Sequence, residues 1–402
     1  MPFQSRPSAG PEIERTLPRD TRPTLAILLG GMDGAPSEAL MRRALEAAAL
    51  DASEVALASG AFHAVLLLAD RAPGVAAPAG VEVIVDGMGD PEGEAFHFGH
   101  TLRRLVRSRG IEALAYLGAG SGGLLGEEDY QALVLPLIPE ARRCVTNNRF
   151  SADLFALRPA SLLSLLDPAP EKDNAVPRRL REEHGIEVIE LPRTLATQFN
   201  MDTPNDLVAL ALSGRAGPRL RAVIAPLTGG DAPDPGVERV RAAARHLIDR
   251  TSEVLVAGRV SSRTWQYLET EAASRIRLLA EERGMQAAGT DVAGTARSML
   301  GALIAEAGAP RAFGSLLPEL ARAAFLDIRP ALVHLGIQPS RADRFAADLG
   351  RVEEIEDARL REIVAAANTS PIPVVLGGHS LVGGCLELLN QWAWDEHDGL
   401  LG

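Results

Sequence analysis

Lysine is almost absent from this chain: of 41 basic residues in 402, only Lys172 is a lysine. A P-loop needs a lysine on the β/γ-phosphates, and a Schiff-base enzyme needs a desolvated one. Lys172 lies in the charged run Glu171-Lys172-Asp173-Asn174 beside a proline-rich segment and suits neither. Walker-type ATPases, kinases with a strand lysine and pyridoxal enzymes are therefore excluded. Cysteine is nearly as scarce. Cys144 and Cys385 stand alone, without CxxC spacing, which excludes a disulfide framework and a cysteine-based zinc site. Aromatic residues make up 4%, so the core must be aliphatic. No apolar run approaches the ~20 residues of a membrane helix. A net charge of −12 leaves no electrostatic footprint for nucleic acid or an anionic membrane. Residues 1–22 are polar, rich in Pro and Arg, and lack the apolar stretch of a secretory signal. They read as a disordered leader, and the expected location is cytoplasmic.

What is present is an ordinary globular composition, 46% apolar and 23% charged, in a chain long enough for two domains. Residues 25–29 are a continuous apolar run ending in Gly30-Gly31, the pattern of a buried parallel strand. A helix is expected over 37–50, strands over 64–69 and 81–85, a helix over 97–109, a strand over 112–117 and a helix over 127–137. That alternation predicts right-handed βαβ units around a mainly parallel sheet, an α/β domain over 23–214. A second α/β domain, richer in helix, is expected over 219–402. It opens with a strand-like run at 222–225 and a turn-rich stretch at 229–236. Helices are expected near 237–249, 263–283 and 293–307, and strands at 253–257 and 373–376.

Four segments of the first half fall in a telling order. Gly30-Gly31-Met32-Asp33-Gly34 follows the first strand, and glycines there let backbone N–H groups wrap a phosphate chain. Gly118-Ala119-Gly120-Ser121-Gly122-Gly123 follows the fourth. Thr146 to Pro159 contains Asn147, Asn148 and Asp153, and Phe199-Asn200-Met201-Asp202-Thr203-Pro204-Asn205-Asp206-Leu207 closes the series. Read without reference to other proteins, the last is a helix start with Thr203 as N-cap, Pro204 at the first position and Asp206 in the first turn. Together the segments resemble the MobA-like and 2-phospholactate guanylyltransferase-like nucleotidyltransferases. The resemblance covers about half the chain and implies a GT-A-like nucleotidyltransferase fold. It further implies that a small phosphorylated or carboxylated acceptor attacks the α-phosphate of a nucleoside triphosphate, releasing pyrophosphate. Mg²⁺ would be held by Asp202 and a second carboxylate, with Asp153 and Asp206 the other candidates.

The departures bear on activity. The family's Asp after the fourth strand is replaced by Gly118-Ala119-Gly120, the first Asp of the closing motif is Asn200, and the lysine after the first loop is missing. Only Arg42 and Arg43 stand near its place. Phosphoryl transfer relies on cations to neutralise developing charge. Three readings stay open: an enzyme with relocated ligands, a protein of altered chemistry on the same fold, and a non-catalytic nucleotide-binding or regulatory protein. Asn147 and Asn148 are candidates for an acceptor phosphate or carboxylate, against a plain turn. His97 and His100, at i, i+3, form a metal pair or a polar helix face.

In the second half, two strands run into loops that open helices, a natural anion site. Arg259 and Ser261 follow one; His379 and Ser380 follow the other. If those strands are neighbours, all four residues face one crevice. Gly378-His379-Ser380-Leu381-Val382-Gly383 also resembles the nucleophile elbow of α/β-hydrolases. The required glycine two residues after the serine is Val382, however, and no room remains for a later acid and histidine. A serine hydrolase using Ser380 is thus a minor alternative. The expected partners are a nucleoside triphosphate and a small acceptor, not nucleic acid or membrane; a homo-oligomer is compatible with the sequence.

Overall fold

Short aliphatic runs build two separate sheets in this computed structural model, which describes residues 21–32, 34–85, 96–137, 142–229, 234–281, 284–285 and 289–400. The expected leader up to residue 20, Asp33 of the first glycine loop and positions 230–233 of the turn-rich stretch lie outside them. The first sheet comprises β1 Thr24–Leu29, β2 Ala64–Ala69, β3 Val81–Val85, β4 Leu114–Gly118, β5 Arg143–Thr146, β6 Leu154–Arg158 and β7 Glu187–Glu190, in the order β3-β2-β1-β4-β6-β5-β7. All pairs are parallel except those of β6, which runs against both β4 and β5. The second sheet is parallel throughout. It comprises β8 Glu253–Gly258, β9 Arg275–Ala280, β10 Ala323–Asp327 and β11 Val374–Gly377, in the order β11-β10-β8-β9.

β1 shows why the aliphatic runs become central strands. Every residue of it is buried. Leu25, Ile27 and Leu29 point to one face with Val65, Leu67 and Leu117; Ala26 and Leu28 point to the other with Leu66, Leu68 and Phe155. A strand without polar alternation can be satisfied only by cover on both sides. Helix α1 (Pro36–Ala58) supplies one cover through Ala49, Ala52 and Ala56, and α2 (Phe98–Arg109) supplies the other through Leu102 and Leu105.

The sheets are joined by apolar packing. Met41 and Ala44 of α1, and Leu207 and Leu210 of α3 (Pro204–Ser213), share one cluster with Val254 and Val256 of β8, Phe325 of β10 and Leu388 of the final helix, Leu386–His397. Burying a Leu or Phe side chain contributes roughly 1.5–3 kcal/mol, so this shared core holds the two sheet edges in fixed relation. No described helix is long and apolar enough to cross a membrane.

Three expectations are corrected. Residues 222–225 are not a strand but part of α4, Pro218–Thr228, with Pro218 in its first turn. Only Leu220 and Ile224 are buried there, one helical turn apart, and a four-residue apolar run cannot distinguish the two states. The helix expected over 263–283 ends at Glu271, and its second half is edge strand β9. β10 was not anticipated. The helix expected from 293 starts at Met299, after Ser298 caps it by accepting the Gly301 N–H.

Candidate active site

The carboxyl ends of β1 and β4 open onto glycine turns, and the segment 199–206 runs beneath them. Met201 donates its N–H to the Gly120 carbonyl at 3.0 Å. A Cβ on Gly120 would sit 2.5 Å from Asn200 Oδ1 and 2.8 Å from the Met201 carbonyl oxygen. No side chain fits, so the aspartate missing from this turn could not be restored at 120 without moving the closing segment. Ser121 donates its hydroxyl to Asn200 Oδ1 at 3.1 Å.

Asn200 is the hub of the site. Its amide nitrogen lies 3.3 Å from Asp153 Oδ1 and 3.0 Å from Asp202 Oδ1. Asp153 is delivered by antiparallel strand β6, whose first residue Leu154 pairs with Leu117 at the end of β4. Asp173 stands nearby, accepting the Tyr116 hydroxyl at 2.7 Å. Burial, and then the neighbouring charges of Asp173 and Asp202, push the Asp153 carboxyl well above the usual range. Burial pushes Asp202 up to about 6, against the pull of His379; Asp206 and Asp173 add to the rise. Protein surrounds Asp202 on most sides, yet its side chain keeps 38% of its exposure, so its outer oxygen reaches solvent. That oxygen, Oδ2, is 3.6 Å from His379 Nε2.

Asp206 plays a different part. It is fully buried, and its Oδ2 accepts the N–H groups of Asp202 and Thr203 at 2.8 and 2.7 Å and the Ser380 hydroxyl at 3.0 Å. Its Oδ1 accepts the Cys385 thiol at 2.7 Å. Burial, reinforced by Asp206, pushes that thiol up, so it remains a donor. Asn205 completes the bridge by donating to the Leu376 carbonyl of β11 at 2.8 Å. The start of α3 therefore stitches the carboxyl edge of the first sheet to that of the second.

On the second edge, Arg259 forks onto Asp327, Nε to Oδ2 at 2.6 Å and Nη2 to Oδ1 at 3.0 Å. A Cβ on Gly258, at φ +123°, would fall 2.4 Å from Asp327 Cβ, so only glycine permits this approach. Arg259 also lowers the Asp202 carboxyl electrostatically, which places its charge within reach of the first edge.

Several candidates are thus brought together and others are not. Asp153, Asp202, Gly120, Ser121, His379 and Arg259 converge. Gly30 and Gly31 are exposed at the end of β1, and among the described residues no acceptor takes the Gly31 and Met32 N–H groups. Asn147 is buried: its oxygen accepts the Asp153 and Leu154 N–H groups and its nitrogen donates to the Thr197 carbonyl, so it braces the local backbone. Asn148 closes a turn by accepting the Phe150 N–H at 3.0 Å. Ser261 caps helix α6 (Ser262–Glu271), accepting the Thr264 N–H. Arg42 is spent as well. It donates to the Gly30 carbonyl at 2.6 Å and pairs with Asp70 at 2.7 Å, so it braces the loop from behind. His97 caps α2, stacked on His100 at 4.0 Å, which is the polar-face reading. Ser380 aims its proton at a buried carboxylate, an arrangement for holding Asp206 rather than for nucleophilic attack. Sequence reasoning passed over Asp173, Tyr116 and Cys385, whose separation from Asp153 and Asp206 in the chain left no local signal.

No protein-family model and no curated protein matches the chain. Some solved structures align with part of it. A protein of Aquifex aeolicus VF5 is 18% identical over 45% of this chain and 94% of its own, with TM-score 0.34. One from Desulfovibrio desulfuricans G20, described as a nucleotide-diphospho-sugar transferase, is 12% identical over 50% and 96%, with TM-score 0.35. A cytidylyltransferase from Leptospira borgpetersenii serovar Hardjo-bovis is 14% identical over 51% and 94%, with TM-score 0.35. At such scores no residue's role is carried across.

Proposed function

We propose that the cleft between the two sheet edges binds a nucleoside triphosphate and passes its nucleotidyl group to a small phosphorylated or carboxylated acceptor. One observation carries the reading: Asp153 and Asp202, 49 positions apart (202 minus 153), flank a single amide beside the Gly120-Ser121 turn. Mg²⁺ is commonly held by one or two carboxylates together with substrate phosphates. The residues fit that role. Among the described residues no group of three or more His, Cys, Asp or Glu is arranged to hold a metal, so phosphate oxygens would complete the shell around Asp153 and Asp202. Bound there, the ion would neutralise charge developing at the phosphates.

The chain's own groups supply the remainder. The N–H groups of Gly31 and Met32 present donors to phosphate oxygens without an intervening side chain. Asn200 holds the two carboxylates apart and oriented, at no cost in added charge. His379, facing Asp202, is placed to shield it and to meet an anionic acceptor. A second reading, nucleotide binding without transfer, is favoured by Arg42 being consumed in the loop's own support.

Thermal unfolding with ATP, GTP, CTP and UTP, with and without Mg²⁺, tests the binding step. A Mg²⁺-dependent rise in Tm with one of them, lost in Asp202→Asn, is expected; no rise with any of the four rejects both readings. Pyrophosphate release on adding phosphorylated or carboxylated acceptors then separates transfer from binding alone.

A further inference from the structure

We propose that Arg344, flanked by Arg329 and Arg341, is the core of an anion clamp on the second half of the chain. It would grip the phosphates of the nucleotide opposite the Gly30-Gly31 loop. The inference rests on the nucleotide reading above for its ligand, but not for its existence.

Arg329 reaches this stretch of chain by donating to the Arg344 carbonyl at 3.4 Å, and Arg341 lies one helical turn before Arg344. Helix α7, Arg341–Leu349, packs across α1, α3 and β11, so it lies on the seam between the two halves. At one end, Arg341 Nε is 4.0 Å from Glu38 Oε1. Glu38 belongs to the first turn of α1 and accepts the Ala35 N–H at 3.2 Å, immediately behind the glycine loop. At the other end, Arg329 Nε lies 3.9 Å from the Cβ position of Gly378, on the turn that carries His379 and Ser380. Arg344 stands between them and feels the charge of both.

Their partners are unequal. Arg329 places Nη2 on both oxygens of Asp348, at 2.8 and 2.7 Å, but its Nη1 is buried with no partner. Arg341 has Glu38 only at the limit of an ion pair. Arg344 is half-buried and makes no side-chain hydrogen bond or ion pair among the described residues. Burial first, then Arg329 and Arg341, pull its guanidinium below its ordinary value, and the charge of Asp348 offsets this only in part. Holding like charges together out of water is unfavourable unless an anion neutralises them. Guanidinium groups with free N–H forks match phosphate oxygens in shape and charge.

The test uses the full chain, with pyrophosphate and tripolyphosphate as probes alongside the four nucleotides. Calorimetric titration and Tm shifts are compared between the wild type, Arg344→Met and Arg344→Lys. The expected result is tripolyphosphate binding that falls at least about tenfold in Arg344→Met and partly returns in Arg344→Lys. Without any ligand, Arg344→Met should raise Tm, because it removes a repelled charge; a residue of merely structural value would lower it. Polyphosphate binding unchanged in Arg344→Met, or no polyphosphate binding by the wild type, overturns the clamp. If polyphosphates bind through Arg344 but no nucleotide does, the clamp stands and the nucleotide reading falls. If nucleotide binding is intact in Arg344→Met, the clamp falls and the nucleotide reading stands.

Discussion

The edge of the first sheet ends in glycine turns and carboxylates, whereas the edge of the second ends in guanidinium groups. On the first edge Asp153, Asp202 and Asp173 crowd together, relieved by Asn200 and Tyr116 and, at Asp202, by His379. On the second, Asp327 and Asp348 are each matched to an arginine and sealed away from water. The carboxylates of the second edge are thus already paired, while Arg344 is left without a side-chain hydrogen bond or ion pair among the described residues. On the first edge, burial and mutual repulsion hold the Asp153 and Asp202 carboxyls above their usual range, so a proton or a bound cation would relieve them. On the function proposed above, the first sheet would carry the reactive side of the cleft and the second the gripping side.

The largest expected effect comes from breaking the stitch between the edges. In Asp206→Ala, the N–H groups of Asp202 and Thr203, the Ser380 hydroxyl and the Cys385 thiol all lose their acceptor. Several buried donors left bare cost on the order of 3 kcal/mol, after allowing for the charge no longer buried. Urea unfolding measures this; a loss below about 1 kcal/mol would mean the edges are held by apolar packing alone.

Next in size is Asn200→Asp, which converts the hub into a third carboxylate. Two donated hydrogen bonds become two repulsions, so the metal-free protein should lose about 2 kcal/mol at pH 8. Added Mg²⁺ should return most of that loss. If Mg²⁺ stabilises the variant no more than the wild type, Asp153 and Asp202 do not form a cation site. The companion variant, Asp202→Asn, isolates a pH dependence. Asp202 keeps its proton up to about 6 in the folded state, whereas an unfolded Asp releases it near ~3.9. The folded state then holds more protons between those values, so this group's stabilising contribution is full below the lower value and is lost as pH rises to the upper one. Metal-free Tm measured from pH 4 to 7 should fall less in Asp202→Asn than in the wild type; parallel curves would remove Asp202 as the source.

Much of this arrangement is written in the sequence, and the part that is not has a physical reason. β1, β4, β8 and β11 were legible because apolar runs ending in glycine leave little alternative to a buried parallel strand, and β2 because Ala64–Ala69 is such a run without the glycine. Asp202 and the start of α3 were legible because Thr-Pro-Asn-Asp combines a cap, a helix-starting proline and a first-turn acid. β9 was hidden because Arg275, Arg277 and Leu279 alternate at the exposed edge within a segment whose charges also suit a helix face. Between an acceptor site and a plain turn the sequence could not choose for Asn147, because nothing local says that its amide will meet the Thr197 carbonyl and the backbone of β6. Arg344 was visible only as one charge among many, and its lack of a partner is a property of the packing.

The smallest effect separates two uses of Ser380. As a donor to Asp206 from a site only 9% exposed, it should cost about 1 kcal/mol when replaced by alanine. Cys385→Ala should cost a similar amount, and because both donors serve one carboxylate the double variant should depart from additivity. Nucleotide-induced Tm shifts should be preserved in Ser380→Ala, since its hydroxyl points at Asp206 and away from the task of binding phosphate. A nucleophilic serine predicts the opposite pattern: unchanged stability, and labelling of the wild type by a fluorophosphonate that disappears in the variant. Labelling of that kind would return the second edge to the role of a reactive centre and undo the division of labour between the two sheets.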